Sequence, residues 1–425
     1  MKKKQISLVK LMTAFVFTLV LCFGMAAPAF ADGKPTGWVK PTAAVTKLLK
    51  MPAGTNVPAM KFEFKIEKEA FNGLTSDKAY LPAIGNAEVE FKPTTPGYIT
   101  VSTSSTETSV YQESGDIFAN VTWPGAGIYT YMITEIPGSY PAINSGPFAP
   151  VKMDYSGAKY KVVVYVKEDD TTDPISYYID SILAYIEIND DSNTSSAVGA
   201  KVDVTPSNPG ETDYTKLSKM TFTNYYLKNN GGTDPGTDPT DISVLDITKD
   251  VTGDLGDKQK LFDFSVTVKN PAFETDANKT YKAFIKYADG SVSASPILFK
   301  HNTPVPFQLK HGDTLAFIDL PAGATYNITE YSAANYIPNY TITKTGFTPD
   351  ASTISTVMDL VTGDKTLADQ TTANDVVITN KSTLVIPGTG IVVDNLPYIM
   401  LIAFGAIAIA VFAIVKARRR ANDCA

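Results

Sequence analysis

Short runs of alternating apolar and polar residues occupy the middle of this 425-residue chain, and they constrain its fold more than any other feature. Clear examples lie at residues 62–66, 161–166 and 262–266. The runs are rich in Val, Ile, Tyr, Phe and Thr, and Gly, Pro, Asn and Asp separate them. This alternation is typical of strands with one buried face. The sequence therefore predicts an all-β protein built from antiparallel, immunoglobulin-like β-sandwiches.

A polar segment divides these runs into two halves. Residues 229–241 read NNGGTDPGTDPTD and contain no apolar side chain. The repeated Thr-Asp-Pro predicts a semi-extended linker between two tandem domains, at residues 32–228 and 242–382. The first half is longer, because it contains an extra hairpin-like region at residues 155–188.

The two halves carry the same signals in the same order, which indicates a repeated domain. Each half opens with a strand that ends in Thr-Lys, followed by a Phe-acidic-Phe strand. A Tyr-x-Ile-Thr-Glu strand comes later, and each half closes with Thr-Asn. The polar residues that end these signals are Lys47, Glu135 and Asn224 in the first half and Lys249, Glu330 and Asn380 in the second.

These six polar residues are predicted to lie on apolar faces. Side chains alternate between the two faces of a strand, so Lys47 shares its face with Val45 and Leu49. The same spacing places the other five residues beside apolar neighbours. Lysine, glutamate and asparagine are rarely buried without a partner. A lysine, a glutamate and an asparagine in the core of both domains therefore indicate a chemical site.

A Lys–Asn isopeptide bond accounts for such a site. Burial makes a lysine easier to deprotonate, so its amine becomes a nucleophile, and it makes a glutamate harder to ionise. The protonated glutamate would then hydrogen-bond the carbonyl of the asparagine, while the apolar surroundings exclude water. Attack on the carboxamide expels ammonia once per domain, without a cofactor, and links the first strand to the last. The predicted bonds are Lys47–Asn224 with Glu135 and Lys249–Asn380 with Glu330.

An ordinary structural role is the alternative for the same residues. The lysines would extend from strand ends to solvent, the glutamates would be exposed, and the asparagines would form turns. A β-bulge at any of these places would reverse the predicted face. Lys50 competes with Lys47 as the reacting lysine, but it lies on the opposite face of the strand.

The amino-terminal segment predicts export. Three lysines at positions 2–4 precede an apolar stretch at 8–23 and the small-x-small sequence at 29–31, so residues 1–31 are predicted to be a secretory signal peptide. Cys22 and Cys424 both fall in segments that would be removed, which leaves no disulfide. Two histidines and no mature cysteine argue against a zinc site and His-dependent catalysis. The net charge of −7 provides no basic surface for nucleic acid.

The carboxyl-terminal segment combines a short motif with an apolar span. Residues 386–390 read IPGTG, and a 20-residue apolar run at 396–415 precedes the basic cluster at 416–420. The run is long enough for a transmembrane helix, and the basic cluster marks the cytoplasmic side. The segment at 383–425 resembles the sorting signal of Gram-positive surface proteins, in which a sortase recognises Leu/Ile-Pro-x-Thr-Gly and cuts between Thr and Gly. The resemblance assigns recognition to Ile386, Pro387, Thr389 and Gly390, with cleavage after Thr389; an ordinary single-pass anchor is the alternative.

The chain as a whole resembles Gram-positive major (shaft) pilins of the streptococcal T-antigen type. The repeated Tyr-x-Ile-Thr-Glu and Thr-Asn signals carry this resemblance, together with the signal peptide and the sorting signal. It implies a subunit of a cell-surface pilus, held in the membrane as a precursor and then anchored to the cell wall. The implied partners are a sortase, identical subunits, minor tip or basal pilins, and peptidoglycan.

A shaft pilin also needs an exposed lysine that accepts the next subunit. In the family this lysine lies close before the last strand of the first domain, a position that corresponds to Lys216 or Lys219. Lys40 and Lys167 are weaker candidates. A singly anchored adhesin or basal pilin that binds a host ligand would carry the same two terminal signals. A surface enzyme is a third possibility, but the sequence contains no Ser/His/Asp or Cys/His set and no phosphate-binding loop.

Overall fold

A computed structural model gives the structure of the chain. It describes residues 34–57, 59–92, 99–102, 106–138, 150–190, 196–230, 243–344, 348–369, 374–385 and 396–422. The predicted signal peptide, most of the predicted linker and the predicted sortase motif (Ile386, Pro387, Thr389 and Gly390) lie outside the described residues. The chain forms two compact units whose main boundary follows Asn230, and we call them the first and second domains.

The first domain consists of two facing β-sheets. Its strands are β1 (Thr46–Pro52), β2 (Met60–Phe71), β3 (Ala87–Phe91), β4 (Ile99–Ser102), β5 (Glu107–Glu113), β6 (Gly127–Glu135), β7 (Pro150–Asp154), β8 (Lys159–Asp169), β9 (Ser176–Ile188), β10 (Lys201–Val202) and β11 (Thr221–Lys228). One sheet has the order β4-β5-β1-β11-β7 and the other β10-β9-β8-β6-β2-β3. Short 3₁₀ turns lie at Thr75–Tyr80 and Tyr214–Lys216. The first strand, β1, lies beside the last strand, β11, in parallel orientation.

The second domain repeats this arrangement without the long β8–β9 hairpin. Its strands are β12 (Leu245–Thr252), β13 (Phe262–Lys269), β14 (Thr280–Lys286), β15 (Ile297–Lys300), β16 (Pro304–Leu309), β17 (Thr314–Phe317), β18 (Thr325–Glu330), β19 (Tyr336–Thr343), β20 (Asp350–Ala351), β21 (Leu360–Val361), β22 (Lys365–Thr366) and β23 (Asn374–Ser382). The sheet orders are β15-β14-β17-β12-β23-β19-β20 and β16-β13-β18-β21, and β22 also pairs with β18. Here too the first strand, β12, is parallel to the last, β23.

Sequence alternation explains which faces form the cores. Phe62, Phe64 and Ile66 of β2 are buried, whereas Glu67, which directly follows them, is exposed. In β8 the valines at 162, 164 and 166 are buried by the same period of two. The predicted all-β architecture is confirmed.

The strands that carry the lysines and asparagines are longer than predicted. β1 and β12 continue beyond Lys47 and Lys249, and β11 and β23 continue beyond Asn224 and Asn380. The sequence prediction ended these strands too early, because β1 is buried on both faces and its Leu48 and Leu49 do not alternate in polarity. Lys47 is therefore the second residue of its strand, near the start and not at the end, and Lys249 lies in the middle of β12.

A single α-helix, α1 (Leu396–Asn422), follows the second domain among the described residues. Its segment Pro397–Arg420 is long and apolar enough to cross a membrane. The helix continues past the predicted end at residue 415, because lysine, arginine and alanine at 416–421 are good helix formers.

Candidate functional site

The first domain brings Lys47, Glu135 and Asn224 together between its two sheets. Lys47 is on β1, and Asn224 is on the neighbouring parallel strand β11. Asn224 lies two residues beyond the position of β11 that pairs with Lys47. Glu135 is the last residue of β6, in the facing sheet. All three are buried, and Lys47 and Asn224 have no exposed surface.

The carboxylate of Glu135 contacts both of the other groups. Lys47 Nζ lies 2.8 Å from Oε1 and 2.9 Å from Oε2. The amide nitrogen of Asn224, Nδ2, donates to the same Oε1 at 2.8 Å. One carboxylate therefore holds a lysine amine and an asparagine carboxamide at the same place, out of contact with water.

Aromatic side chains enclose the lysine amine. The Nζ of Lys47 lies 4.7 Å from the ring centre of Phe62 and 6.0 Å from that of Phe64. Burial lowers the pKa of Lys47 to about 8, although the nearby Glu135 acts in the opposite direction. Burial disfavours the charged form of an amine, so this site favours a neutral, nucleophilic lysine more than solvent does.

The orientation of Asn224 differs from the sequence prediction. Its carbonyl oxygen, Oδ1, accepts a 2.8 Å hydrogen bond from the backbone N–H of Ser156. A backbone N–H can only donate, so this contact fixes Oδ1 towards Ser156 and Nδ2 towards Glu135. The prediction that Glu135 bonds the carbonyl oxygen is therefore wrong for the first domain, because Ser156 occupies that position.

The second domain assembles Lys249, Glu330 and Asn380 in the same way. They come from β12, β18 and β23 and are all buried. Lys249 Nζ lies 3.1 Å from Glu330 Oε1, which also accepts a 2.7 Å hydrogen bond from Asn380 Nδ2. The ring of Phe262 lies 4.4 Å from the amine. The two domains thus contain the same arrangement of side chains on equivalent strands.

Burial acts on the two ionisable groups of the second site in opposite directions. It lowers the pKa of Lys249 to about 8, and it raises the pKa of Glu330 above its ordinary value. Both shifts favour transfer of the proton from the lysine to the glutamate. The second site is therefore suited to hold a neutral amine beside a carboxylic acid that can exchange a proton.

The two lysines that were predicted to accept the next subunit lie outside the buried site of the first domain. Lys216 ends the 3₁₀ turn before β11, its side chain is 62 % exposed, and its Nζ lies 3.4 Å from Glu211. Lys219 is also exposed, and its Nζ donates to the backbone carbonyl of Thr215. Both amines are thus on the surface, a few residues before the last strand.

The other lysines that the sequence suggested are paired elsewhere. Lys50 lies on β1 but pairs with Glu107 at 3.2 Å, away from Glu135. Lys40 contacts Asp116 at 3.0 Å, and Lys167 contacts Asp180 at 2.8 Å. Lys47 is therefore the lysine that the fold of the first domain directs into its core site.

Sequence reasoning missed two residues of the first site, Ser156 and Asp190. Ser156 also donates its backbone N–H to Glu135 Oε2 at 3.1 Å. Its hydroxyl donates to the buried carboxylate of Asp190 at 2.9 Å. No strand periodicity marks either residue, because both lie in connections between strands.

Comparisons with known proteins bear on the two domains separately. Residues 43–227 match the family model of the Spy0128-like isopeptide containing domain. The first domain matches the Spy0128-like family. Residues 243–382 match a family model described as a domain of unknown function, DUF7601.

Individual relatives are pilins. A pilin of Streptococcus pyogenes serotype M1 is 28% identical over 170 residues, which is 38% of this chain and 45% of that protein. The crystal structure of the major pilin from Streptococcus pyogenes is 20% identical, with a TM-score of 0.32, and the match covers 81% of this chain and 99% of that one. The major pilin T3.2 of the same species is 18% identical, with a TM-score of 0.30, over 81% and 99% of the two chains. The resemblance of the chain to streptococcal pilins is confirmed by the family match of the first domain and by the pilin of serotype M1.

Proposed function

We propose that the chain is a structural subunit of a sortase-assembled cell-surface pilus and that two self-formed isopeptide bonds stabilise it. The observation that carries this proposal is the same buried Lys–Glu–Asn arrangement in both domains, one of which is Spy0128-like. The bonds would be Lys47–Asn224 and Lys249–Asn380, with Glu135 and Glu330 as the acids and bases. Each glutamate acts in a single turnover, so the protein is not an enzyme.

The proposed reaction is an amide exchange within each domain. In the first domain the neutral amine of Lys47 attacks Cγ of Asn224, and the carbonyl electrons move to Oδ1. The proton from the attacking nitrogen passes through Glu135 to Nδ2, which is already within hydrogen-bond distance. The Cγ–Nδ2 bond then breaks, the carbonyl re-forms and ammonia leaves. Glu135 returns to its starting protonation state, and no oxidant or cofactor is needed.

The position of the proposed bonds suits a protein under tension. In each domain the bond would join the first strand to the last, and these strands are neighbours in parallel register. Force that pulls on the two ends of a domain would pass through the covalent link and bypass the strands between them. A shaft subunit needs this property, because each subunit carries the load of those beyond it.

Signals at the two ends of the chain would direct its export and its assembly into a pilus. The signal peptide would export the protein, and helix α1 would hold the precursor in the membrane. A sortase would then cleave after Thr389 and transfer the threonine carbonyl to Lys216 or Lys219 of an identical subunit, or finally to peptidoglycan. Minor tip or basal pilins would be further partners.

Wall extracts of the Gram-positive host test this assembly. We expect the parent chain to give a ladder of covalent high-mass species on denaturing gels. The sortase would hold the carbonyl of Thr389 as a thioester on its own cysteine until an amine attacks it. The double variant Lys216→Arg/Lys219→Arg should reduce the ladder to a single anchored species, because arginine does not attack this thioester. Thr389→Ala should remove both the ladder and the wall attachment. Lys201→Arg, an exposed lysine of the same domain, is the matched control and should keep the ladder.

Three results would contradict parts of the proposal. A ladder that persists in the double variant would exclude Lys216 and Lys219 as acceptors. A parent chain that is attached to the wall but gives no ladder would favour the alternative, a singly anchored adhesin or basal pilin that binds a host ligand. Normal wall attachment of Thr389→Ala would refute the sorting site.

A further inference from the structure

The backbone of Ser156 contacts the reacting groups of the first domain. Its N–H lies 2.8 Å from Asn224 Oδ1 and 3.1 Å from Glu135 Oε2. Ser156 lies between β7, which belongs to the sheet of β1 and β11, and β8, which belongs to the facing sheet. The chain therefore crosses from one sheet to the other directly over the site, and the N–H of Ser156 faces into it.

A buried carboxylate holds this crossover in place. Asp190, which follows β9 and is 1% exposed, accepts from Ser156 Oγ at 2.9 Å. It also accepts from the backbone N–H of Thr223 at 2.7 Å and from the hydroxyl of Thr223. Thr223 directly precedes Asn224. Asp190 therefore fixes the N–H of Ser156 relative to the strand that presents the carboxamide.

We propose that the N–H of Ser156 is the oxyanion donor for formation of the Lys47–Asn224 bond and that Asp190 is its positioning residue. This inference rests on the proposed isopeptide reaction. When the amine of Lys47 attacks Cγ, negative charge develops on Oδ1, the atom that Ser156 already contacts. A donor that is held in place before the reaction stabilises this charge without reorganisation, and a dry site increases its effect.

The second domain has no equivalent donor among its described residues. Asn380 Oδ1 is buried and has no hydrogen-bond partner there, and neither has Glu330 Oε2. The difference follows from the extra β8–β9 hairpin of the first domain, since Ser156 and Asp190 flank it. We therefore expect the bond of the first domain to form faster than that of the second.

Time-resolved mass spectrometry of the full chain tests this inference. The chain is synthesised in a cell-free reaction with detergent, samples are quenched in acid and digested, and the two cross-linked peptides are quantified. Ser156→Pro removes the N–H and should slow formation of the Lys47–Asn224 peptide about 100-fold. Asp190→Asn keeps the N–H but weakens its anchoring, and it should slow the reaction about 10-fold. The Lys249–Asn380 peptide of the same molecules is the internal reference and should form at an unchanged rate.

A folding control separates chemistry from structure. Each substitution is also made in a Lys47→Met chain, where no bond forms in the first domain, and thermal unfolding is measured. A slower reaction with an unchanged unfolding temperature in this background supports the inference. If Ser156→Pro does not fold, the rate of bond formation in Asp190→Asn tests the inference in its place.

Linkage at the parent rate in a folded Ser156→Pro chain would overturn the inference and leave the proposed function intact. If Ser156→Pro does not fold, linkage at the parent rate in the Asp190→Asn chain would overturn the inference in the same way. Absence of the Lys47–Asn224 peptide from the parent chain would refute the isopeptide reaction itself, and this inference with it.

Discussion

Replacement of Asn224 with alanine should lower the unfolding temperature of the first domain by roughly 10–20 °C and leave that of the second domain unchanged. The Lys47–Asn224 bond would close a loop that contains nearly the whole domain. In the loop-entropy treatment of cross-links, a loop of this size contributes about 5 kcal/mol to the free energy of unfolding. Each kcal/mol corresponds to about 2–4 °C for a domain of this size. Calorimetry and limited proteolysis of the exported segment, residues 32–389, measure the effect.

Two further variants show whether the bond causes this change. Lys47→Met removes the nucleophile, keeps a side chain of similar length, and should give a similar loss. Lys50→Met changes a lysine on the same strand that pairs with Glu107, and we expect only a small shift. Unchanged thermal and protease resistance in both Lys47→Met and Asn224→Ala would mean that the three buried residues are packing residues without a covalent link.

Replacement of Glu330 with glutamine or alanine should leave the second domain folded but without its bond. Glutamine has the shape of a protonated glutamate, so it fits the site beside Asn380. It cannot take up the proton that the amine of Lys249 must lose. A positioned acid–base group accelerates a reaction about 10²–10⁴-fold, so the uncatalysed bond should not accumulate on the time scale of expression.

Mass spectrometry of the Glu330 variants measures this loss. The mass should exceed that of the linked chain by one ammonia molecule, after correction for the substitution, and the Lys249–Asn380 peptide should be absent. Glu135→Gln is the matched variant and should lose only the Lys47–Asn224 peptide. A complete Lys249–Asn380 bond in both Glu330 variants would show that Glu330 is not the acid.

Local sequence patterns predicted the all-β fold and the burial of the six polar residues. The position of Lys47 between Val45 and Leu49 predicted its burial, because a strand places alternate residues on one face. The lengths of the central strands could not be predicted in the same way. β1 and β11 are covered on both faces, so their polarity does not mark where each strand ends.

The Ser156 contact could not be predicted from sequence for a different reason. Every residue except proline offers a backbone N–H, so the identity of Ser156 carries no signal for an oxyanion donor. Its role depends on where the chain crosses between the sheets, which only the fold determines. Asp190 lies in the polar run Asn189-Asp190-Asp191, which looks like a solvated loop. Its burial follows from contacts with Ser156 and Thr223 that are distant in the sequence.

The accurate intact mass of residues 32–389 tests the central claim most directly. Each isopeptide bond removes one ammonia molecule, and the rest of the covalent structure is unchanged. We expect a mass that is lower than the formula mass by two ammonia molecules, with Lys47–Asn224 and Lys249–Asn380 as the cross-linked peptides after digestion. A deficit of one would restrict the reaction to a single domain. A mass equal to the formula mass would contradict the proposal that these buried residues form covalent bonds.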